Sequence, residues 1–244
     1  HFAHFTDCHL FADDKGTYFD VNCAHNLRIT LNAMAKEHFD FVVFGGDLTQ
    51  DHSVQSYQLF ADLVAHSALS CPVFWVPGNH DEMQHLQAMS QGQINPAKLI
   101  VHPFAQVLLI NTKGTTPAGW VEPEHLAQIE TVLKQAQVPQ LVIGHHHPMP
   151  VAGYIDKHML DNGAQLLELL SAEHHNVQAV VHGHAHNCYE RHYQGVQILG
   201  TPATSIQFTK HTPDWQQQPL GPAYRTVQID QSGTFTTQVK WLAN

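Results

Sequence analysis

The sequence predicts an α/β fold, because apolar runs of strand length alternate along the chain with stretches of helical spacing. The predicted strands lie at 1–6, 39–45, 72–76, 99–102, 107–111, 140–144 and 177–183. The predicted helices lie between them, at 22–37, 53–68, 122–136 and 162–173. Toward the end of the chain the pattern changes to short strand candidates at 188–193, 196–200, 223–230 and 234–241. These last strands predict a second, more antiparallel sheet.

With 244 residues, of which 43% are hydrophobic, the chain can bury one large core. Pro/Gly-rich loops at 112–123 and 211–222 separate no segments of independent composition, so we expect one domain over residues 1–244. No uncharged apolar run reaches about 18 residues, and the chain opens on a strand-like stretch. We therefore expect a soluble protein without a signal peptide and without membrane partners.

Composition excludes one class of partner. The chain has 11 Lys and Arg against 21 Asp and Glu, with no basic cluster, so a long nucleic acid is a poor candidate substrate. Its four cysteines are scattered without C-x-x-C spacing, which predicts reduced thiols and a cytoplasmic location. The 22 histidines exceed the need of any one site, so most of them are expected on the surface or in ordinary packing.

Unusual polar residues follow the predicted strands. Strand ends in an open α/β sheet meet at one crevice, where ligands bind in such folds. The residues that come just after an apolar run are Asp7, Asp47, Asn79, His146 and His184. Each short motif alone also fits a cap or a packed side chain, but five of them at strand ends together predict a metal centre.

Two of these motifs are D-x-H and H-x-H. In an extended segment side chains alternate, so Asp7 and His9 are expected on one face, with Cys8 opposite. The same parity places His184 and His186 together, and Gly183 permits close approach. A carboxylate and imidazoles on one face are suited to bind a cation.

Two glycine-containing turns carry the next candidates. Gly45 and Gly46 let the chain turn before Asp47, whose two oxygens can bridge two cations. The turn at 77–78 presents Asn79, an oxygen ligand, beside His80, which is then free to act on a substrate. For Asp81 two roles are open: orienting the His80 imidazole, or starting the next helix.

Three consecutive histidines, 145–147, follow the strand at 140–144. We expect His146 to be the metal ligand, because it lies two residues before Pro148. His145 and His147 remain alternatives.

The order D-x-H, G-D, G-N-H-D, H, G-H-x-H resembles the calcineurin-like metallophosphoesterase superfamily. Segments 145–156, 201–208 and 221–239 further resemble bacterial class III cyclic nucleotide phosphodiesterases, and the likeness covers nearly the whole chain. The resemblance implies two facing mixed β-sheets flanked by helices, a four-layer αββα sandwich. Two departures are Tyr154, where relatives commonly have Trp, and Cys8, where Thr or Ser is usual.

The resemblance also implies a role for each site residue. One metal would take Asp7, His9, Asp47 and His186, and the other would take Asp47, Asn79, His146 and His184, with Asp47 bridging. Substrate would be bound by His9, Asp47, Asn79, His80 and His186. The predicted cofactors are two divalent ions, Fe²⁺ and/or Mn²⁺, and Zn²⁺ also suits these ligands. Gln50 stands where purple acid phosphatases place a tyrosine ligand, which argues against a ferric ion.

The predicted activity is hydrolysis of a phosphodiester, with 3′,5′-cyclic AMP converted to 5′-AMP by attack of a metal-bridging hydroxide. His80 would stabilise the charge at phosphorus or protonate the departing sugar oxygen. The alternatives are a broader phosphodiesterase acting on glycerophosphodiesters or 2′,3′-cyclic nucleotides, a DNA nuclease, and a non-catalytic scaffold. A homodimer is expected only from the resemblance, and Phe11, Tyr154 and Phe208 are the aromatic candidates for substrate contact.

Overall fold

The computed structural model describes residues 1–243. The helices are α1 (Cys23–Met34), α2 (Val54–His66), α3 (Met83–Met89), α4 (Pro123–Gln135) and α5 (Gly163–Leu170). The strands are β1 (Phe2–Phe5), β2 (Thr17–Tyr18), β3 (Val21–Asn22), β4 (Phe41–Phe44), β5 (Val73–Trp75), β6 (Ile94–Asn95), β7 (Leu99–His102), β8 (Ala105–Leu109), β9 (Gln140–Ile143), β10 (Val177–His182), β11 (Tyr189–Tyr193), β12 (Val196–Gly200), β13 (Gln207–Phe208), β14 (Gln217–Gln218), β15 (Ala223–Ile229) and β16 (Phe235–Trp241). Short 3₁₀ helices span Tyr154–His158 and Glu173–His175.

Two six-stranded sheets form the centre of the molecule. The first has the order β16-β15-β1-β4-β5-β6, and the second has the order β11-β12-β10-β9-β8-β7. In the first sheet the strands from β1 to the β6 edge are parallel, and the β15–β16 hairpin at the other edge is antiparallel. In the second sheet the four central strands are parallel, and β11 and β7 are antiparallel strands at the two edges. Both sheets are therefore mixed, which confirms the predicted fold class.

The four layers follow from burial of both faces of each sheet, which explains why the strands read as continuous apolar runs. Alternate residues along β4 go to different cores: Val42 and Phe44 pack with α1 and α2, while Val43 faces the other way. Val43 lies in a core that also contains Leu141 and Val181 of the second sheet. Helices α4 and α5 cover the outer face of that second sheet. This shared core between the sheets supports our proposal that residues 1–244 form one domain.

The helices begin where the sequence provides caps. The Asn22 side chain accepts from the backbone N–H of His25 at the start of α1, and Ser53 does the same for Ser56 at α2. Pro123 occupies the first turn of α4, where its missing N–H costs nothing. Among residues 1–243, no helix is both long enough and apolar enough to cross a bilayer.

The prediction that the last strands build a separate antiparallel sheet is wrong. Strands β11 and β12 form a hairpin that joins the second sheet beside β10, whereas β15 and β16 form a hairpin that joins the first sheet beside β1. Local sequence determines each hairpin, but the strand that it meets next is far away in the chain. Each hairpin thus extends one of the two sheets instead of starting a third.

Candidate metal centre

The predicted polar residues meet at one edge of the two sheets. The segments after β1, β4 and β5 carry Asp7, Asp47 and Asn79, and those after β9 and β10 carry the histidines. The two sheets are tied together here, since the backbone N–H of His184 donates to Asp7 Oδ2 at 3.0 Å. Gly183 is needed for this approach, because a Cβ there would overlap Thr6 Oγ1 and lie 2.7 Å from Asp7 Oδ2.

The reason for this convergence differs from the one expected from sequence. The segments that carry the candidate ligands are not extended, so side-chain alternation does not apply. Five residues in three of these segments have a left-handed backbone: Asp7 (φ 56°), His9 (47°), Asp47 (56°), His184 (60°) and His186 (47°). Asp and His adopt this region more readily than most residues, yet it still costs free energy. Such strain concentrated at one site is typical of functional sites.

One half of the centre consists of Asp7, His9 and His186. His186 Nε2 lies 3.2 Å from Asp7 Oδ1 and 3.1 Å from His9 Nε2. His9 Nε2 is also 3.8 Å from Asp47 Oδ2, which connects this half to the other. All four side chains are buried.

Hydrogen bonds fix which nitrogen of each ring carries its proton. His9 Nδ1 lies 2.9 Å from Gln50 Oε1, and His186 Nδ1 lies 2.8 Å from the Ile206 carbonyl oxygen. Because both partners are acceptors, each Nδ1 donates, and the two Nε2 lone pairs point at each other and at the Asp7 carboxylate. Lone pairs placed so closely repel unless a cation lies between them. This donor set therefore fits a divalent metal.

The other half consists of Asp47, Asn79, His145 and His184. His145 Nε2 lies 3.3 Å from Asp47 Oδ2 and 3.2 Å from His184 Nδ1. The opposite nitrogens donate to the carbonyl oxygens of Gly45, at 2.7 Å, and His158, at 2.9 Å. Asn79 Oδ1 is buried with no hydrogen-bond partner among residues 1–243. A buried oxygen without a donor is costly, and a cation would satisfy it.

The assignment of His146 as a metal ligand stays a prediction, because donor atoms of His145, His146 and His184 lie within 4.8 Å of one another, but the hydrogen bonds of His146 favour His145 as the ligand. Thr112 Oγ1 accepts from the backbone N–H groups of both histidines at 3.2 Å, so its own proton goes to His146 Nδ1 at 2.8 Å. His146 Nε2 then donates to the Pro117 carbonyl oxygen at 3.3 Å. Both His146 nitrogens are thus engaged, although the ring lies 4.5 Å from that of His184. For these reasons His145 replaces His146 in the metal site that we propose.

The structure gives Asp81 neither of the two roles considered for it. Its carboxylate accepts from the backbone N–H groups of Asp47 and Leu48 at 2.8 Å and of Gly78 at 2.9 Å. Helix α3 begins later, after Glu82. Asp81 therefore ties the loop after β4 to the loop after β5. His80 is held nearby by its backbone N–H, which donates to Asp47 Oδ1 at 2.9 Å.

The electrostatics of the site favour positive charge. Burial alone would lower the pKa of His145, but the carboxylates of Asp47 and Asp7 outweigh it and raise that pKa to about 9. Burial lowers the pKa of His9 to about 3, so this ring is neutral and keeps a free lone pair. Two buried carboxylates thus create a negative potential that holds a proton on His145 and would equally attract a metal cation in its place.

A cavity of about 340 Å³ opens over this centre. Its lining includes residues of the cluster, namely His9, Asp47, Asn79, His80, His184 and His186. It also includes five aromatic side chains, Tyr18, Phe19, Tyr154, Phe208 and Trp215. Tyr154 and Phe208 were expected here, whereas Phe11 packs against Gly16 and the core beneath α1 and α2. Sequence reasoning missed Tyr18, Phe19 and Trp215, whose only signal is their aromatic character outside the predicted strands and helices.

The model of the calcineurin-like phosphoesterase family matches residues 1–188. The chain belongs to this family. A probable cyclic nucleotide phosphodiesterase of Pseudoalteromonas sp. is 50% identical over 243 residues, which cover 98% of this chain and 93% of that protein. The 3′,5′-cyclic adenosine monophosphate phosphodiesterase CpdA of Escherichia coli K12 is 33% identical and covers 98% and 88% of the two chains.

Solved structures agree with the fold of a calcineurin-like phosphoesterase. A dimetal phosphatase from Danio rerio superposes with a TM-score of 0.64 at 16% identity, covering 93% of this chain and 94% of the other. GAP50, the anchor in the inner membrane complex of Plasmodium, superposes with a TM-score of 0.69 at 16% identity, covering 98% and 84%. The predicted resemblance and the predicted two-sheet architecture are both confirmed.

Proposed function

We propose that this chain is a dinuclear metal-dependent phosphodiesterase that hydrolyses 3′,5′-cyclic AMP to 5′-AMP. The observation that carries the proposal is the set of four overlapping donor groups, two of which contain Asp47, with nitrogen lone pairs and the Asn79 oxygen left without protein partners. The names of the two relatives given above support the choice of substrate.

Seven residues would hold the metals in this proposal. The first ion would take Asp7, His9, His186 and Asp47, and the second would take Asp47, Asn79, His145 and His184. Two divalent cations there would supply positive charge to the phosphate and lower the pKa of a water molecule. Fe²⁺ and Mn²⁺ suit this ligand set, as does Zn²⁺, because the donors are oxygen and imidazole without thiolate.

The protein's own groups would do the remaining work. His80 lines the cavity, and its Nδ1 is buried with no hydrogen-bond partner among residues 1–243. We propose that His80 stabilises charge on the phosphoryl oxygens or protonates the departing sugar oxygen. Burial lowers the pKa of His80, which makes its protonated form a stronger acid. His9, Asp47, Asn79 and His186, which line the same cavity, would contact the substrate together with His80.

The rival functions have less support. A broader phosphodiesterase acting on glycerophosphodiesters or 2′,3′-cyclic nucleotides would use the same metals, but the aromatic lining of the cavity favours a substrate with a base. A scaffold would have no need to keep a strained, buried donor set. The cytoplasmic location and the homodimer remain predictions.

Chelation tests the proposal. Protein dialysed against a strong chelator should lose cyclic AMP hydrolysis completely and regain it on addition of Mn²⁺, with two metal equivalents by elemental analysis. The kcat/KM for 3′,5′-cyclic AMP should exceed those for 2′,3′-cyclic AMP and glycerophosphocholine. Full activity without metal would refute the dinuclear mechanism, and a preference for glycerophosphocholine would refute the substrate assignment.

A further inference from the structure

Six rings that line the cavity make a closed chain of contacts, in the order His9, Tyr18, Phe19, Trp215, Phe208 and His186. Tyr18 and Phe208, the inner aromatic rings, pack on imidazoles of the metal centre. Tyr18 stacks on His9 at 4.8 Å between ring centroids and 17° between planes. Phe208 stacks on His186 at 4.2 Å and 3°. Tyr18 and Phe208 therefore have a structural task, which is to hold the two imidazoles in place.

The outer rings, Phe19 and Trp215, have no such task. Their centroids lie 4.3 Å apart with planes tilted by 30°, and they close the chain between Tyr18 and Phe208. Phe19 is 47% exposed although it is a large apolar side chain. Both rings line the same cavity as His80 and Asn79. An aromatic surface at the mouth of a polar cavity is a stacking platform for a planar group.

The turn that presents Phe19 is unfavourable for a phenylalanine. Strands β2 and β3 pair through Tyr18 and Val21, which leaves a two-residue loop of Phe19 and Asp20 with φ values of 47° and 65°. Turns with two positive φ values favour Asn-Gly or Asp-Gly, and a bulky aromatic residue is a poor choice. The fold alone would be better served by another residue at this position, so the ring itself has a function.

We propose that Phe19 and Trp215 form the subsite on which the nucleobase of the substrate stacks. This inference rests on the proposed function, because it assigns the base of a cyclic nucleotide whose phosphate lies at the metal centre. The cavity lining within residues 1–243 includes no arginine, lysine or glutamine that would read the base by hydrogen bonds. Stacking tolerates any base, so cyclic AMP and cyclic GMP should have similar KM values.

The substitution Phe19→Asn separates the ring from the turn, because Asn accepts a positive φ that Phe tolerates poorly. The variant should therefore keep or raise the melting temperature. Its KM for cyclic AMP should rise about tenfold or more, as expected for loss of one stacked ring. The KM for ribose 3′,5′-cyclic phosphate, which lacks a base, should stay unchanged. Trp215→Ala should act in the same direction, while Trp241→Ala, an exposed tryptophan on β16, should change neither KM.

Binding gives a second measurement that does not depend on turnover. Calorimetric titration should show that Phe19→Asn weakens 5′-AMP but leaves ribose 5-phosphate unaffected. The stacking subsite is refuted if both variants bind 5′-AMP and turn over cyclic AMP with wild-type constants. Failure of the proposed function is a distinct outcome, in which the metal-loaded wild-type protein does not hydrolyse cyclic AMP at all.

Discussion

The metal centre and the aromatic mouth of the same cavity are built in opposite ways. At the centre, the His9, His145, His184 and His186 rings are each fixed by a hydrogen bond from the nitrogen that faces away from the metal position. At the mouth, Phe19 and Trp215 are positioned by stacking and by a short hairpin. The difference indicates that catalysis depends on the fixed orientation of the imidazole ligands. Recognition of the substrate depends instead on the area of contact between the aromatic rings and the base.

Removal of a ligand from the centre should have the largest effect. His145→Ala should lose about one of two metal ions and reduce kcat/KM on the order of 10³-fold, beyond the 10–100-fold typical of outer-shell partners. Elemental analysis and steady-state kinetics measure both effects. His146→Ala is the matched control, since its ring is engaged by Thr112 and Pro117. If His146→Ala loses the metal and His145→Ala keeps it, our revision of the ligand set is incorrect.

His80 lies between the two regions, and its loss should affect the rate without affecting the metals. His80→Ala should lower kcat for cyclic AMP about a hundredfold, within the range of general acid catalysis. A substrate with a p-nitrophenolate leaving group should be affected less, because that group departs without a proton. His52→Ala, the ring that stacks on His80 at 5.8 Å, serves as control. An equal loss of kcat for both substrates in His80→Ala would show that His80 does not donate a proton to the leaving group.

Asp156 connects the centre to the mouth. Its carboxylate accepts from the backbone N–H groups of Val151 and Ala152 and lies 3.2 Å from His147 Nε2, which holds the 3₁₀ helix Tyr154–His158. Asp156→Ala should destabilise the protein by about 1.5–3 kcal/mol, the usual value for hydrogen bonds to a charged group. It should also raise KM several-fold while both metals remain bound.

Urea unfolding and metal analysis measure the Asp156 effects. Asp161→Ala, at an exposed position just beyond this segment, should change neither. Loss of metal in Asp156→Ala would mean that Asp156 is also needed to hold the His158 carbonyl oxygen that fixes the His184 ring.

The smallest effect concerns stability at acid pH. Burial, reinforced by Arg225, lowers the pKa of His4 to about 3 from an ordinary value of 6.5. The native state therefore takes up this proton only near pH 3, while the unfolded chain takes it up near pH 6.5. Stability from this group is full above pH 6.5 and is lost as the pH falls toward 3.

His4→Gln should reduce the slope of the free energy of unfolding against pH by the contribution of up to one proton, which is about 1.4 kcal/mol per pH unit. Urea unfolding of chelated wild type and variant between pH 4.5 and 7 measures the two slopes. His25→Gln, at an exposed position in α1, should leave the slope of the wild type unchanged. Identical slopes for His4→Gln and wild type would show that His4 is already protonated in the native state.

Sequence reasoning found the main strands and helices, because burial of both sheet faces produces long apolar runs. It placed the last four strands in the wrong sheet, because pairing is decided by distant partners: Phe2 pairs with Val227, and Ala179 pairs with Gln197. Short strands such as β2 and β3 lie below the length that periodicity can detect.

At the site, residue types at strand ends were sufficient to bring Asp7, Asp47 and His184 together, but the local geometry was not predictable. The prediction from side-chain alternation requires an extended chain. These residues instead adopt φ near 60°, so alternation does not determine where their side chains point. The three histidines after β9 are distinguished by tertiary contacts: His145 with Gly45 about a hundred residues earlier, His146 with Thr112 about thirty residues earlier, and His147 with Asp156 nine residues later. No local pattern encodes such contacts.

The position of β1 has a consequence for how the protein is made. This strand lies between β4 and β15, and it leads into Asp7. Residues 1–6 are synthesised before the other strands of both sheets, yet the second neighbour of β1 is supplied by residues 223–229, and the centre itself draws on residues as late as His186. Metal loading would therefore be a late step of biogenesis, because the donor cluster is complete only after His186 has been synthesised, and the sheet that carries Asp7 only after residue 229.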